Sequence, residues 1–240
     1  MFRKILDSLL TLAYPQNCQI CKKIVEKSLD GAACSDCWEN TRIFNGTETL
    51  CTKCSRFLQS GTAEFQTFCY VCDAHFYDSA RAVGLYENAL VASILSLKRE
   101  PFVARRLKDL FISAFEKTSF YDADIIIPVP LSKRRRLERG FNQAEVLAQI
   151  IARKSGLELD KQSLARKIHT PMHRVAMDRK ARELTVQNAF EVVRPKLIEN
   201  QKILLIDDVF TSGATASYCA KALKKKGADK VYVFTIARAD

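Results

Sequence analysis

Two patterns of residue types in this chain could do chemistry. The first is "ILLIDDVFTSGAT", Ile203 to Thr215. Four apolar residues run into Asp207 and Asp208. After Val209 and Phe210 come Thr211, Ser212, Gly213, Ala214 and Thr215, all small or hydroxylated. A short continuous apolar run fits a strand buried on both faces of a parallel sheet. Such a strand delivers its terminal acids to the carboxyl edge of the sheet, where open α/β folds bind ligands. The next residues can present backbone N–H groups at the start of a helix near Ser212–Ala216, a cradle that favours an anion. The acids suit hydroxyls or a divalent cation on the same ligand. The stretch therefore reads as a sugar-phosphate site, with hydroxyls on the acids and phosphate in the loop. A plain strand–turn–helix with an acidic cap would explain the acids but not the loop after them.

The second pattern is a ladder of cysteines. Eight of the nine fall in four C-x2-C pairs: Cys18/Cys21, Cys34/Cys37, Cys51/Cys54 and Cys69/Cys72. The gaps between pairs are 12, 13 and 14 residues. One C-x2-C turn faces two thiolates toward a metal, and a second completes a tetrahedron. Four such turns point to two structural zinc ions with four cysteine ligands each. The simplest pairing is sequential, Cys18, Cys21, Cys34 and Cys37 on one ion and Cys51, Cys54, Cys69 and Cys72 on the other; the spacing also admits a crossed one. Disulfides would need a secreted chain, and iron–sulfur ligands are usually more tightly clustered. The role expected for the metals is to hold together a segment with too little apolar sequence to fold alone. Cys219 stands apart in a helical stretch and reads as a buried apolar residue. His75 follows Cys72 closely, but the ligand count is complete without it.

The elements that must position these residues alternate strand and helix. "ARAVGLY" reads as a strand, followed by a helix near Ala89–Lys98 and a second helix after Pro101. "DADIIIPVP" is a buried strand, "GFNQAEVLAQIIARKSG" a helix closed by Gly156, and "KILLIDD" the next strand. A helix over Ser212–Lys226 and the strand "KVYVFTIAR" complete the series, with "NAFEVV" as a further strand. The alternation predicts an α/β fold, a mostly parallel sheet flanked by helices, behind a small N-terminal four-cysteine zinc-ribbon domain. The boundary is expected at 77/78.

The charge is uneven. The formal net charge is +11; residues 1–77 balance, and the block 131–182 carries 14 Lys/Arg against 5 Asp/Glu. A concentrated basic block calls for a polyanion. Its densest part is Lys133, Arg134, Arg135, Arg136 and Arg139, expected in the loop after the "DADIIIPVP" strand. Arginine forks match phosphate oxygens, so these residues are candidates for pyrophosphate or for a nucleic-acid backbone. With 48% hydrophobic and 27% charged residues the chain is globular, not disordered. No run is long and apolar enough to span a membrane. The N-terminal "MFRKILDSLLTLAYP" has apolar residues at helical spacing, and Asp7 interrupts any signal-peptide core. A cytoplasmic location is expected, with peripheral attachment at the inner membrane as the alternative this amphipathic stretch allows.

"ILLIDDVFTSGAT" resembles the phosphoribosyl-pyrophosphate (PRPP) motif of type I phosphoribosyltransferases. The resemblance implies that Asp207 and Asp208 contact ribose hydroxyls. It also implies that Thr211, Ser212, Gly213, Ala214 and Thr215 hold the 5′-phosphate, with Mg²⁺ accompanying a PRPP-type ligand. Together with the cysteine ladder and "RRLERGFNQAE", the chain closely resembles the competence protein ComF family. Family members often carry T-P-x-Q-x-x-L between these motifs; here it is "TPMHRVA", with His173 and Ala176 at the Gln and Leu positions. What the resemblance implies is a factor for DNA uptake in natural transformation, handling imported single-stranded DNA in the cytoplasm. A DNA-import helicase and the inner-membrane DNA channel would be its partners. The alternatives are an active phosphoribosyltransferase with an unknown acceptor, or a PRPP sensor without turnover. His169 and His173 lie in the basic stretch and could act on a leaving group or on nucleic acid; as ordinary surface histidines they would do neither.

Overall fold

The computed structural model describes residues 15–58, 68–167 and 189–239. The N-terminal amphipathic stretch before residue 15, and the basic stretch with His169 and His173, lie outside the described residues.

Five strands form one sheet in the order β1-β7-β6-β2-β3, with every neighbouring pair parallel. They are β1 (Ser79–Leu85), β2 (Ile125–Pro128), β3 (Glu158–Leu159), β6 (Lys202–Phe210) and β7 (Lys230–Arg238). Helices α2 (Asn88–Leu97), α3 (Arg105–Glu116) and α5 (Gln143–Ser155) cover one face, and α6 (Ala214–Lys224) covers the other. A separate antiparallel ribbon joins β4 (Leu164–Arg166) to β5 (Phe190–Val192). The fold is thus the α/β, mostly parallel arrangement that the alternating pattern predicts.

The apolar runs become central strands because both of their faces are covered. Successive strand residues point to opposite faces. Leu204 and Ile206 of β6 enter one core with Phe111, Phe115 and Phe234, while Ile203 and Leu205 enter the other with Val231, Val233 and Leu223. β6 runs on through the acids to Phe210, further than the apolar run alone indicates. The cause is β7, which pairs with it as far as Phe210↔Arg238, whereas β2 ends against it at Pro128↔Ile206. Among the described residues, β6 beyond Ile206 therefore has a strand neighbour on one side only.

The cysteine segments are built into this body. Ile43 bridges Gly84 on β1, and the Phe44 and Leu85 N–H groups donate to Val83 and Arg42 carbonyls at 2.9 and 3.0 Å. A Cβ on Gly84 would stand 2.3 Å from the Arg42 carbonyl oxygen, so only glycine admits this approach. Arg42 also grips Glu87 with two hydrogen bonds of 3.0 and 2.7 Å. Cys18, Cys34 and Cys37 pack into the core under α2 and α3, beside Trp38 on the short helix α1 (Ser35–Glu39). Cys51, Cys54, Cys69 and Cys72 pack into the core on the α6 face.

Candidate functional site

The eight paired cysteines gather into two groups, Cys18, Cys21, Cys34 and Cys37 in one and Cys51, Cys54, Cys69 and Cys72 in the other. This is the sequential pairing. Sulfur–sulfur distances are 3.7 Å for Cys18–Cys37 and 3.5 Å for Cys21–Cys34. In the second group they are 3.6 Å for both Cys51–Cys72 and Cys54–Cys69, and 3.2 Å for Cys69–Cys72. A tetrahedron of sulfurs about 2.3 Å from zinc has edges of about 3.8 Å, so both groups are consistent with two structural zinc ions. The thiols are unequal. Hydrogen bonding with Cys72 pulls Cys54 down to about 5 against the effect of burial, and Arg238 adds to the pull. Burial raises Cys18, but the N–H groups of Cys21, Cys34 and Ile20 outweigh it and bring it to about 6. Cys219 is buried, and burial pushes its thiol well above the usual range, as fits an apolar filler.

Asp207 and Asp208 sit where β6 has lost its neighbour β2. Consecutive strand residues cannot share a face, and the two carboxylates part accordingly. Asp208, 7% exposed, turns to the α2/α5 side, where Lys98 Nζ lies 3.2 Å from Oδ2 and Gln143 Nε2 donates to it at 3.4 Å. Asp207 turns to the α6 side and lines a small recess with Thr211, Thr215 and Thr235. Burial, with the Asp208 charge beside it, pushes Asp207 well above the usual aspartate range. Each carboxylate also accepts a backbone N–H from the next residue, Asp208 N at 2.8 Å and Val209 N at 2.9 Å.

The loop after β6 is short. Thr211 is exposed, Ser212 half-buried, and Gly213 adopts φ 78° before α6 begins at Ala214. Ser212 Oγ accepts the Ala214 N–H at 3.4 Å. Gly213 is required twice over. Its φ is left-handed, and a Cβ there would meet Phe210 Cζ at 2.7 Å and His75 Cε1 at 3.3 Å. His75 lies outside both four-cysteine groups; it is buried against the loop and stacked on Tyr77.

The basic block differs from its expected form. Residues expected in a loop after β2 form a seven-residue helix, α4 (Lys133–Arg139). Ser132 caps it by accepting the Arg135 N–H at 3.4 Å, and Gly140 ends it in the left-handed region. Helix formation directs the five cations apart. Arg134 pairs with Glu138 at 2.8 Å, Arg136 with Glu145, and Arg139 donates to Gln143 Oε1 at 2.8 Å. Lys133 is exposed. Arg135 is half-buried; burial and the neighbouring Arg139 lower its pKa, and the Asp208 charge opposes them. Three residues of this neighbourhood escaped sequence reading: Lys98, Gln143 and Arg166. Arg166, on β4, lies over Phe190 at 5.3 Å and is held below the usual arginine range by burial and by Arg135, with Asp207 opposing. A larger cavity, about 600 Å³, lies elsewhere, between the first cysteine segment and α2/α3, with Asn17, Ser93 and Arg99 in its walls.

Residues 9–73 match the family model of the double zinc ribbon domain. The chain is 30% identical over 165 residues to Competence protein ComFC of Bacillus subtilis (strain 168), covering 66% of this chain and 63% of that protein. It is 31% identical over 136 residues to DNA utilization protein YhgH of Salmonella typhimurium, covering 57% and 59%. The chain thus spans less than two thirds of the length of these curated relatives. Among solved structures it is similar to glutamine phosphoribosylpyrophosphate amidotransferase from B. subtilis, complexed with ADP and GMP. That likeness has 17% identity, 69% of this chain, 30% of the other and a TM-score of 0.38, too loose to bear on the fold, which rests on the sheet order. With the double zinc ribbon and these relatives, the resemblance stated from the cysteine ladder, "RRLERGFNQAE" and "ILLIDDVFTSGAT" is borne out: the chain is similar to the ComF-type competence proteins.

Proposed function

We propose that this chain serves DNA uptake in natural transformation, handling incoming single-stranded DNA in the cytoplasm with a PRPP-type sugar-phosphate site in its sheet. The relatives named for competence and DNA utilization support the first half. The second half is carried by one observation: two acids at the open end of a central strand lead directly into a glycine-containing loop and a helix N-terminus. In this reading Asp207 and Asp208 hold ribose hydroxyls from opposite sides, and residues 211–215 hold the phosphate. Mg²⁺ would enter on the ligand's own oxygens, since such sites supply few protein carboxylates. Of the basic helix, this reading gives Lys133 and Arg135 to pyrophosphate or DNA backbone, because among the described residues Arg134, Arg136 and Arg139 have protein partners. The import helicase and membrane channel would act upstream. No helix among the described residues is long and apolar enough to cross a membrane.

The test is binding of a labelled single-stranded oligonucleotide across a salt series. Each phosphate contact contributes about −0.7 to the slope of log K against log salt for single strands. Lys133→Gln with Arg135→Gln should weaken binding and flatten that slope by about 1.4. Absent or salt-insensitive binding would sink the DNA reading. One observation favours a sensor without turnover as the second reading. Lys98 occupies Asp208, so a ligand reaching that carboxylate must displace it and disturb the end of α2.

A further inference from the structure

The second cysteine group touches more than its own ribbon. The His75 N–H donates to the Cys72 carbonyl at 3.0 Å. The His75 ring stacks on Tyr77 with centroids 5.2 Å apart, and Tyr77 meets Phe210 edge-on at 5.7 Å. Phe210 ends β6 and immediately precedes the loop. From the other side, Arg238 at the end of β7 lies over the Phe210 ring at 5.2 Å and donates to the Cys54 carbonyl. The Phe76 N–H donates to Ser217 Oγ in the first turn of α6 at 3.2 Å. His75, Tyr77, Phe210 and Arg238 are all buried. The loop backbone at Gly213 rests on this assembly, with room for a hydrogen but not for a methyl group between it and the Phe210 ring.

We infer that the second cysteine group, acting through His75, Tyr77, Phe210 and Arg238, clamps the 211–213 loop in its anion-receiving form. The inference rests on the sugar-phosphate reading only for the identity of the anion. Close-packed interiors transmit displacement because they hold few voids to absorb it. When the four thiolates are gathered, Cys54 and Cys72 fix the two ends of the aromatic stack. When they are released, Arg238 and His75 lose their carbonyl anchors and Phe210 is freed beneath the loop. A loop that must order itself on binding then loses affinity, by about ten- to hundredfold. The first group packs with Trp38 in the opposite core, whereas Tyr77 and Phe210 lie in the core of the second group. The residues named are positioning residues; none is assigned contact with the ligand.

The experiment is hydrogen exchange on the full-length zinc-loaded protein, without ligand, read at the amides of 211–217. Cys72→Ser is expected to speed exchange there at least tenfold, while Cys34→Ser leaves it unchanged and instead alters Trp38 emission. His75→Ala, checked by zinc analysis to retain both metals, should also speed exchange, and His75→Phe should restore it by keeping the stack. Ribose 5-phosphate affinity should fall in the same variants and recover in His75→Phe. Loop exchange that ignores both Cys72→Ser and His75→Ala would overturn the clamp, as would an equal response to Cys34→Ser. If the loop responds as expected but the wild-type protein does not bind ribose 5-phosphate, the clamp stands and the sugar-phosphate reading falls.

Discussion

Replacing Gly213 with alanine should cost far more than replacing Gly156, although both residues have left-handed backbones, with φ of 78° and 76°. A non-glycine residue in that region costs about 1–2 kcal/mol. At Gly156 nothing lies within 4 Å of the added Cβ, so that backbone cost is the whole effect. At Gly213 the Cβ would stand 2.7 Å from Phe210 Cζ, closer than carbon atoms approach, and 3.3 Å from His75 Cε1. The Phe210 ring has little freedom to retreat, since Tyr77 meets its edge and Arg238 covers its face. Overpacking of this kind adds about 1–3 kcal/mol, giving roughly 2–5 kcal/mol in all. At about 2–4 °C per kcal/mol for a domain of this size, the melting temperature should fall by about 4–20 °C, against about 2–8 °C for Gly156→Ala. Thermal unfolding of the two variants, followed by circular dichroism with zinc in the buffer, measures the difference. Equal melting temperatures would refute the packing of the loop on Phe210 and His75.

Other outcomes follow from the same geometry. The Asp207 pKa is raised in the folded protein, so above the usual aspartate value of about 3.9 the native state holds its proton more tightly than the unfolded chain, and stability falls as pH rises through that window. Asp207→Asn should therefore melt higher than wild type at pH 8 and lose that advantage near pH 4; parallel curves would contradict it. Lys98→Met removes the cation 3.2 Å from Asp208 and should tighten sugar-phosphate binding several-fold in calorimetry while lowering the melting temperature; unchanged affinity would show that Lys98 does not compete. Zinc analysis should find two ions per chain in the wild type and one in Cys34→Ser, whose Trp38, hydrogen-bonded to the Asp30 carbonyl at 3.0 Å and covered by Arg106, should shift its emission.

The sequence disclosed what is local and left out what crosses the fold. The cysteine pairs were legible because a C-x2-C turn brings two thiolates together without help from the rest of the chain. The two-faced strands were legible from unbroken apolar runs such as Ile203–Ile206. The extension of β6 to Phe210 was not, because it depends on β7 pairing beyond the point where β2 stops. Nor was the parting of Asp207 and Asp208, which follows only once both residues are known to lie inside the strand. Helix α4 carries readable signals, the Ser132 cap and the terminal Gly140, but a run of arginines between them is equally compatible with a solvated loop. Lys98, Gln143 and Arg166 could not be assigned from spacing, since each reaches the acids from a different element. The cysteine spacing leaves His75 without a role, and its place under Gly213 is a tertiary contact that spacing does not encode.

In the reading proposed above, Asp207, Asp208 and the loop after them form a sugar-phosphate site. Calorimetric titration of PRPP with Mg²⁺ tests it most directly, comparing the wild type with Asp207→Asn/Asp208→Asn at the same zinc content. The wild type should bind, and the double variant should bind at least about a hundredfold more weakly, as the loss of two charge-assisted hydrogen bonds requires. No binding to the wild type, or equal binding to both proteins, would rule out a sugar-phosphate site at the two acids and leave the Lys133–Arg139 helix as the place where an anion binds.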